Sequence, residues 1–244
     1  MIPESAIPRG MPGGHPGGEP VRSYKLRTSR MTAAQRRAVD ALLPRWTVPA
    51  GEGQIDLDAV FGRRADIVLE IGFGMGETTL AMAAAQPDSN LLAIDVHTPG
   101  AGALLRGIEA MGLTNVRVLL GDGVQLLRHR IPPGSLAELR IFFPDPWPKK
   151  RHHKRRLVDA AFVRLAATRL RPGGRLHLAT DWVGYADQML SVIESEPLLR
   201  NVFDGFADRP PDRPVTRFEE QGIAKGHRVL DLVAERLPGL EGCF

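Results

Sequence analysis

Short apolar runs alternate along this chain with longer segments of helical pattern, and this alternation constrains the fold more than any other feature. Runs rich in branched apolar residues predict strands at residues 67–71, 91–96, 116–120, 136–143 and 175–180. Two late strands are expected near Phe203 and at 228–233. Helical patterns lie between and after the early strands, at residues 76–86, 101–111, 156–170 and 183–194. Repeated strand–helix units predict an α/β fold with a doubly wound, mostly parallel sheet.

The N-terminal part of the chain differs in composition from the rest. Half of the first 20 residues are Gly or Pro, which predicts disorder because such a segment buries too little apolar surface. Residues 22–37 contain six basic residues and no acidic one, as expected of either an RNA-contacting arm or a solvated linker. We therefore predict a disordered, then basic N-terminal segment over residues 1–37 and a single folded domain over residues 38–244.

Several features bear on the cellular compartment and on metal binding. No apolar stretch is long enough to cross a bilayer, and the N-terminus does not have the pattern of a signal peptide. The single cysteine, Cys243, cannot form an internal disulfide or a metal site made of several cysteines. His152 and His153 have no second histidine pair at a ligand spacing. We predict a cytoplasmic protein with no membrane anchor and no metal, either a monomer or a homodimer.

Positive charge is concentrated in one short segment. Residues 149–156 contain six Lys or Arg residues, interleaved with His152 and His153, and this segment accounts for the net charge of +4. A solvated helix face is the usual explanation of such a run. Here the run directly follows the rigid segment Pro144-Asp-Pro-Trp-Pro148, and this position favours a polyanionic partner.

A glycine-rich turn follows the first predicted strand. Gly72 and Gly74 allow the backbone to turn tightly and to approach a ligand without an intervening side chain. Glu77 occupies the position at which a dinucleotide-binding turn has glycine. A carboxylate there would repel a pyrophosphate but would tolerate a cationic sulfonium ligand.

Acidic residues lie at the ends of four successive predicted strands, where doubly wound sheets bind their ligands. They are Glu70, Asp95, Asp122 and Asp145. Asp95 is placed to accept both hydroxyl protons of a ribose, and Asp122 is placed to accept a proton of an exocyclic amine such as that of adenine. Each residue alone could be a helix N-cap. Together they predict one acidic rim that binds an adenosine cofactor.

Six motifs of the chain occur together in one known family. They are Glu70-Ile-Gly-Phe-Gly-Met-Gly-Glu77, Ile94-Asp-Val-His-Thr-Pro-Gly100, Phe143-Pro-Asp-Pro-Trp-Pro-Lys-Lys-Arg-His-His-Lys-Arg-Arg156, Thr180-Asp-Trp182, Thr216-Arg-Phe-Glu219, and Gly226-His227 ahead of Asp231-Leu232. With these motifs the chain resembles the bacterial tRNA (guanine-N7-)-methyltransferases over residues 67–233. The resemblance implies a class I methyltransferase with a seven-stranded, Rossmann-like sheet. It also implies S-adenosyl-L-methionine as cofactor, tRNA as partner and a guanine of the variable loop as target.

The resemblance also implies roles for individual residues. Asp145 would lie beside the acceptor atom, contact both cofactor and base, and stabilise the positive charge that develops on the purine. No general base is needed, because N7 of guanine has a lone pair and no proton to lose. Asp181 and Glu219 are candidates to accept hydrogen bonds from the N1–H and amino groups of guanine. The other substrate-binding residues are expected to be Lys149, Arg151, Lys154, Arg155, Arg156, Thr216, Arg217 and Phe218.

Some alternatives stay open at the level of sequence. Asp181 could be the N-cap of the following helix, and Thr216-x-x-Glu219 has the form of a capping box, although Gly222 and Gly226 favour a binding loop. Trp147 and Trp182 are assigned no role. An enzyme that methylates an amino group of another RNA base would show Asn/Asp-Pro-Pro-aromatic at this strand end, whereas one proline is displaced here. A catalytically inert RNA-binding relative would not need the acidic rim.

Overall fold

The computed structural model of the 244-residue chain describes residues 23–24, 30–211, 213–216, 219–220, 222, 226 and 228–239. The disorder expected for the first 20 residues concerns a part of the chain that lies outside this set. Strands β1 to β7 span Ile67–Ile71, Asn90–Asp95, Val116–Leu120, Leu136–Phe142, Leu170–Thr180, Leu199–Asn201 and Leu230–Arg236. Helices α1 to α7 span Ala33–Trp46, Leu57–Phe61, Glu77–Ala85, Thr98–Met111, Gly123–His129, Ala160–Arg169 and Val183–Glu194, and a 3₁₀ helix covers Lys150–Arg155.

The strands form one sheet in the order β3-β2-β1-β4-β5-β7-β6. Strands β1 to β5 are parallel to one another, and β7 runs antiparallel between β5 and β6. The predicted doubly wound, mostly parallel, seven-stranded α/β sheet is therefore confirmed. Since β1 to β5 point the same way, their carboxyl ends share one edge of the sheet, which we call the rim.

The sheet buries apolar side chains on both faces. Alternate residues of β1 illustrate this, since Leu69 packs with the layer of α2, α5, α6 and α7 while Val68 packs with the layer of α1, α3 and α4. Every residue of β1 is buried, as expected for a central strand covered by helices on both sides. The fold therefore leaves the two ends of the strands, and not the faces of the sheet, for ligands.

Helix α1 begins at Ala33, inside the segment that the sequence assigned to the N-terminal tail. Its start is fixed by a capping box, in which Thr32 Oγ1 accepts a 3.2 Å hydrogen bond from Gln35 N and Gln35 Oε1 accepts one of 2.9 Å from Thr32 N. Val39 and Trp46 of this helix belong to the core beside α4. Residues 33–37 are therefore part of the folded domain, contrary to the predicted boundary at residue 38.

Two other predicted boundaries are wrong for local reasons. The helix expected from residue 156 begins at Ala160, because the Asp159 carboxylate caps it by accepting a 2.8 Å hydrogen bond from Phe162 N. The late strand expected near Phe203 is β6, which ends two residues earlier at Asn201. Phe203 itself is 48% exposed.

A chain of buried charges crosses the sheet from β4 to β7. Arg140 donates to both carboxylate oxygens of Glu138 at 2.6 and 2.8 Å. His177 Nδ1 lies 3.8 Å from the same carboxylate, and its Nε2 lies 2.8 Å from Asp231 Oδ1. Arg213 then donates to both oxygens of Asp231 at 2.7 and 2.9 Å. Opposite charges alternate along this chain, as the burial of charged groups requires.

The charge chain shifts the protonation of its members. Burial alone would raise the pKa of Glu138, but hydrogen bonds from His177 and Arg140 outweigh it and lower the pKa from 4.5 to about 2. Burial alone would lower the pKa of His177, but its bonds to Asp231 and Glu138 raise the pKa above its ordinary 6.5. These two carboxylates therefore favour the charged form of His177 in the folded protein.

The raised pKa of His177 predicts a loss of stability on the alkaline side. The folded protein binds this proton more tightly than the unfolded chain, so its stabilising effect is complete below pH 6.5 and is lost as pH rises through the folded-state pKa. The free energy of unfolding should fall there by up to about 1.4 kcal/mol per pH unit. Urea unfolding at several pH values should show that the unfolding free energy of His177→Gln depends less steeply on pH than that of the wild type.

His129 provides the matched control for this experiment, because it is an exposed histidine at the end of α5. The variant His129→Gln should keep the wild-type dependence of unfolding free energy on pH. An equal slope in wild type and His177→Gln would contradict the assignment of the charged form to His177.

Candidate active site

Four aspartates follow the parallel strands at the rim. Asp95 ends β2, and Asp122, Asp145 and Asp181 follow β3, β4 and β5. All four side chains are partly exposed. Because the sheet order is β3-β2-β1-β4-β5, they occur along the rim as Asp122, Asp95, the turn after β1, Asp145 and Asp181. This places a row of carboxylates on both sides of the glycine-rich turn.

The turn between β1 and α3 uses backbone conformations that favour glycine. Gly72, Gly74 and Gly76 have φ angles of +90°, +57° and +82°. A Cβ atom added to Gly72 or Gly74 would meet no atom within 4 Å, so the backbone of this turn borders open space. A Cβ added to Gly100 would lie 1.7 Å from the Gly74 carbonyl oxygen. Gly100 therefore allows α4 to pack directly against the turn.

Asp95 fastens the glycine turn to the end of β2. Its Oδ2 accepts a 2.8 Å hydrogen bond from Gly74 N, and its Oδ1 accepts one of 3.0 Å from His97 N. A carboxylate has about four lone-pair sites. Two backbone bonds therefore leave acceptor capacity for hydroxyl groups of a ligand.

Asp122 is the N-cap of α5. Its Oδ1 accepts hydrogen bonds of 2.8 Å from Val124 N and 3.2 Å from Gln125 N. The capping interpretation is thus correct for this residue. None of the hydrogen bonds formed between described residues uses Asp122 Oδ2, so the cap engages only one of the two carboxylate oxygens.

Glu70 does not belong to the open rim. Alternation along β1 turns its side chain towards α3, where it is 4% exposed and accepts a 2.6 Å hydrogen bond from Thr79 Oγ1. Burial raises its pKa, although the Thr79 bond and the charge of Arg140 act in the opposite direction. The predicted direct contact of Glu70 with a cofactor stays a prediction. In this structure Glu70 joins β1 to the first turn of α3, on the two sides of the glycine turn.

Asp145 stands in a loop with unusual backbone geometry on both sides. Phe143 and Trp147 have φ angles of +53° and +44°, in the left-handed region that non-glycine residues rarely adopt. Each such residue costs about 1–3 kcal/mol, and the cost must be offset by the surrounding structure. One tie is the 2.8 Å hydrogen bond from Phe143 N to the Ala179 carbonyl of β5. The loop therefore holds Asp145 in a fixed conformation.

Trp147 anchors this loop in the protein interior. It is 7% exposed, and its Nε1 donates a 3.2 Å hydrogen bond to the carbonyl oxygen of Ser23. The guanidinium carbon of Arg155 lies 5.0 Å from the centre of the Trp147 ring, and the His152 ring meets it edge-on at 5.9 Å. Trp147 is therefore a structural residue and does not offer a free face to a base.

The basic run forms the 3₁₀ helix beside the rim, and five of its side chains are exposed. These are Lys149, Lys150, Arg151, Lys154 and Arg155. Arg156 differs, because it is only 4% exposed. Its guanidinium donates to the Pro146 carbonyl at 2.9 Å, to the Gly184 carbonyl at 3.0 Å and to Gln188 Oε1 at 2.7 Å. These donors bind oxygens of the protein, so the geometry does not support the predicted contact of Arg156 with RNA, which stays a prediction.

Asp181 does not cap α7. The N-cap position is occupied by Trp182, which makes no side-chain capping bond. The Trp182 amide donates instead to Thr180 Oγ1 at 3.2 Å. The capping alternative is therefore wrong, and Asp181 lies at the rim beside the loop of Asp145.

Glu219 is a structural residue. It is 3% exposed, and its carboxylate accepts hydrogen bonds of 2.6 and 3.0 Å from Arg213. Thr216 Oγ1 accepts a 3.0 Å bond from Glu219 N, and Glu219 Oε2 accepts a 3.4 Å bond from Thr216 N. The capping box is thus formed, and Arg213 holds the Glu219 carboxylate in place, while the contact of Glu219 with guanine stays a prediction. Arg217 and Phe218 lie outside the described residues.

The buried partners of Glu219 were not predicted from the sequence. Arg213 is fully buried and joins Glu219 to Asp231 of β7. One signal was available, because Asp231 stands among the apolar residues of a predicted strand, and a buried carboxylate requires a cation. The sequence could not say which of many basic residues supplies it.

The chemistry of the rim suits S-adenosyl-L-methionine. Asp95 and Asp122 offer acceptor oxygens for hydroxyl and amino groups, and the glycine turn next to Asp95 borders open space. Glu77 adds negative charge at the first turn of α3, which favours a cationic ligand over a phosphate. Among the described residues, no group of three or more His, Cys, Asp or Glu side chains is arranged to hold a metal ion. Within the same residues, no helix is long and apolar enough to span a membrane.

Comparison with solved structures supports the fold. The 16S rRNA methyltransferase KamB aligns with a TM-score of 0.58 and 16% identity over 79% of this chain and 98% of its own. The antibiotic-resistance methyltransferase Kmr aligns with a TM-score of 0.53 and 20% identity over 75% of this chain and 92% of its own. At these identities the likeness concerns the fold alone.

Comparison of sequences identifies the family. The model of the methyltransferase family Methyltransf_4 matches residues 64–232. A protein of Streptomyces coelicolor is 53% identical over 94% of this chain and 86% of its own length, and one of Nitrosospira multiformis is 50% identical over 90% and 96%. Both are named tRNA (guanine-N(7)-)-methyltransferase. The chain therefore belongs to the tRNA (guanine-N(7)-)-methyltransferase family.

Proposed function

We propose that this chain transfers a methyl group from S-adenosyl-L-methionine to N7 of a guanine in tRNA by direct displacement, without a general base. The observation that carries this proposal is the position of Asp145. It stands in a loop of constrained backbone between the glycine turn, which borders the cofactor space, and the exposed basic run. The names of relatives about 50% identical support the choice of base and atom.

S-adenosyl-L-methionine, when bound, supplies a methyl group attached to a positively charged sulfur. Asp95 would accept hydrogen bonds from the ribose hydroxyls, using the lone pairs that Gly74 and His97 leave available. Asp122 Oδ2 would accept one from the adenine amino group. Glu70, at the end of β1, would border the cofactor, and its bond to Thr79 would hold the turn in place.

The reacting base then needs alignment and electrostatic support more than proton transfer. N7 of guanine has a lone pair and no proton, so no side chain has to act as a base. The Asp145 carboxylate would stabilise the positive charge that develops on the purine, and its fixed loop would hold it in place before the reaction. Asp181, at the next strand end, is our candidate to accept the N1–H and amino protons that distinguish guanine.

The exposed basic run would bind the tRNA backbone. Lys149, Arg151, Lys154 and Arg155 are directed to solvent beside the rim, where they can neutralise phosphates without reading sequence. Thr216, which caps the segment of Glu219, is a further candidate contact to the substrate. Because tRNA is the substrate, we place the protein in the bacterial cytoplasm, and we take the variable loop as the target.

An amino-methylating enzyme is the less favoured alternative. Trp147 would be the aromatic residue closest to the position that such enzymes use at this strand end. It is 7% exposed and is covered by Arg155 and His152, so it is not available to hold an extruded base. This burial favours N7 as the acceptor.

The variant Asp145→Ala should lose methyl transfer and retain its affinity for tRNA. Removal of one preorganised charge from a transition state costs about 10²-fold or more in rate, while the phosphate contacts stay intact. Single-turnover transfer of labelled methyl to unmodified tRNA, with cofactor saturating, measures the rate, and filter binding measures tRNA affinity. Asp88→Ala is the control, because Asp88 is exposed and precedes β2 at the opposite edge of the sheet. A wild-type rate in Asp145→Ala would show that Asp145 has no role in methyl transfer.

The basic run should determine how tRNA affinity depends on salt. Each phosphate contact adds about 0.7–0.9 to the slope of log affinity against log salt. The double variant Arg151→Ala and Lys154→Ala should therefore flatten this slope, measured by filter binding between low and physiological salt. Arg64→Ala, which removes an exposed charge before β1 at the opposite edge, should leave it unchanged. An unaltered slope in the double variant would show that the basic run is a solvated surface that does not contact phosphates.

A further inference from the structure

We propose that Arg156 is a positioning residue that fixes the loop of Asp145 and locks it to the start of α7. The inference rests on the proposed function, in which Asp145 lies beside the reacting atoms. It concerns a residue that stands within the basic run but whose chemistry differs from that of its neighbours. Lys154 and Arg155 are exposed, whereas Arg156 is 4% exposed.

The guanidinium of Arg156 joins two strand exits of the rim. Its Nε donates 2.9 Å to the carbonyl of Pro146, the residue directly after Asp145. Its Nη1 donates 3.0 Å to the carbonyl of Gly184 and 2.7 Å to Gln188 Oε1, both on α7. Helix α7 begins two residues after Asp181, so one side chain sets the spacing between the Asp145 and Asp181 loops.

The pocket that receives Arg156 is itself rigid. Its guanidinium carbon lies 4.8 Å from the centre of the fully buried Tyr185 ring. The Tyr185 hydroxyl accepts a 2.9 Å hydrogen bond from Val158 N, and Gln188 Nε2 donates 3.0 Å to Val158 O. Val158 follows Arg156 by two residues, so the contacts close a ring. Arg156 cannot shift without breaking it.

The partners of Arg156 explain why an arginine is required. They are two carbonyl oxygens and one amide oxygen, spread over two elements of the fold. A planar guanidinium presents donors in a fixed fork that reaches all three, whereas a lysine ammonium is a single point of charge. The loop is thus held by the planar arrangement of the guanidinium donors, and not only by the positive charge.

The backbone of the Asp145 loop creates the need for such a tie. Phe143 and Trp147 both have positive φ angles, and Asp145 lies midway between them. Strained residues persist only where the surroundings hold them. Phe143 is tied to β5 through Ala179, and Trp147 is covered by Arg155. Arg156 supplies the tie at Pro146, between Asp145 and Trp147.

The test compares Arg156→Lys and Arg156→Ala with wild type. Because a displacement of about 1 Å in a catalytic group can cost 10²-fold in rate, we expect kcat to fall by about that factor in both variants. Affinity for S-adenosyl-L-methionine and the salt slope of tRNA binding should stay at their wild-type values. Lys154→Ala serves as comparison, since the loss of a phosphate contact should raise KM for tRNA and flatten the slope.

Guanidinium rescue distinguishes positioning from a general structural role. Added guanidinium ion, compared with potassium chloride at the same concentration, should restore part of kcat in Arg156→Ala by refilling the fork. It should restore none in Asp145→Ala. The milder variant Gln188→Leu removes one of the three acceptors, so it should lower kcat by a smaller factor. This variant decides the question if Arg156→Ala does not bind S-adenosyl-L-methionine.

Three results would overturn the inference. They are a wild-type kcat in both Arg156→Lys and Gln188→Leu, a flattened salt slope in Arg156→Lys, and a cofactor-binding Arg156→Ala protein that guanidinium does not rescue. The failure of the proposed function is a separate result, because it would show as normal turnover in Asp145→Ala. Loss of turnover in Asp145→Ala together with unchanged Arg156 variants would contradict the positioning role alone.

Discussion

The site depends on one constraint, which is that five adjacent strands run in the same direction. Because β1 to β5 are parallel, the residues that follow them meet at one edge of the sheet. Asp95, Asp122, Asp145 and Asp181 form a row there although they are far apart in sequence. The glycine turn after β1 lies in the middle of the row and leaves open space above its backbone. A cation that contains ribose and adenine matches this arrangement of acceptors.

Two buried arginines hold the loops that extend from this edge. Arg156 ties the loop of Asp145 to α7, and Arg213 ties Glu219 to Asp231 of β7. Both use the planar fork of guanidinium to satisfy several acceptors at once. Arg213 works within an alternating chain of charges, which offsets the cost of burying it, whereas Arg156 is satisfied by carbonyl and amide oxygens. The exposed cations around Arg156 are then available for the phosphate groups of a nucleic acid.

The sequence predicted the sheet well and the roles of single side chains less well. Central strands such as Ile67–Ile71 are buried on both faces, so their apolar runs identify them directly. Helix α1 was missed because its capping box lies in a basic segment whose composition resembles that of a linker. Motif spacing placed the carboxylates at strand ends. Spacing cannot tell whether a side chain points inward, and Glu70, Arg156 and Glu219 are each buried and bonded to other groups of the protein.

The central claim is that the rim delivers a methyl group to N7 of guanine in tRNA, and the chemical identity of the product tests it most directly. The purified chain would be incubated with unmodified tRNA and S-adenosyl-L-methionine labelled in its methyl group, and the RNA would then be digested to nucleosides and separated. We expect the label in 7-methylguanosine. Label on an exocyclic amino group of adenine or cytosine, or a folded protein that binds tRNA and transfers no label, would contradict the account.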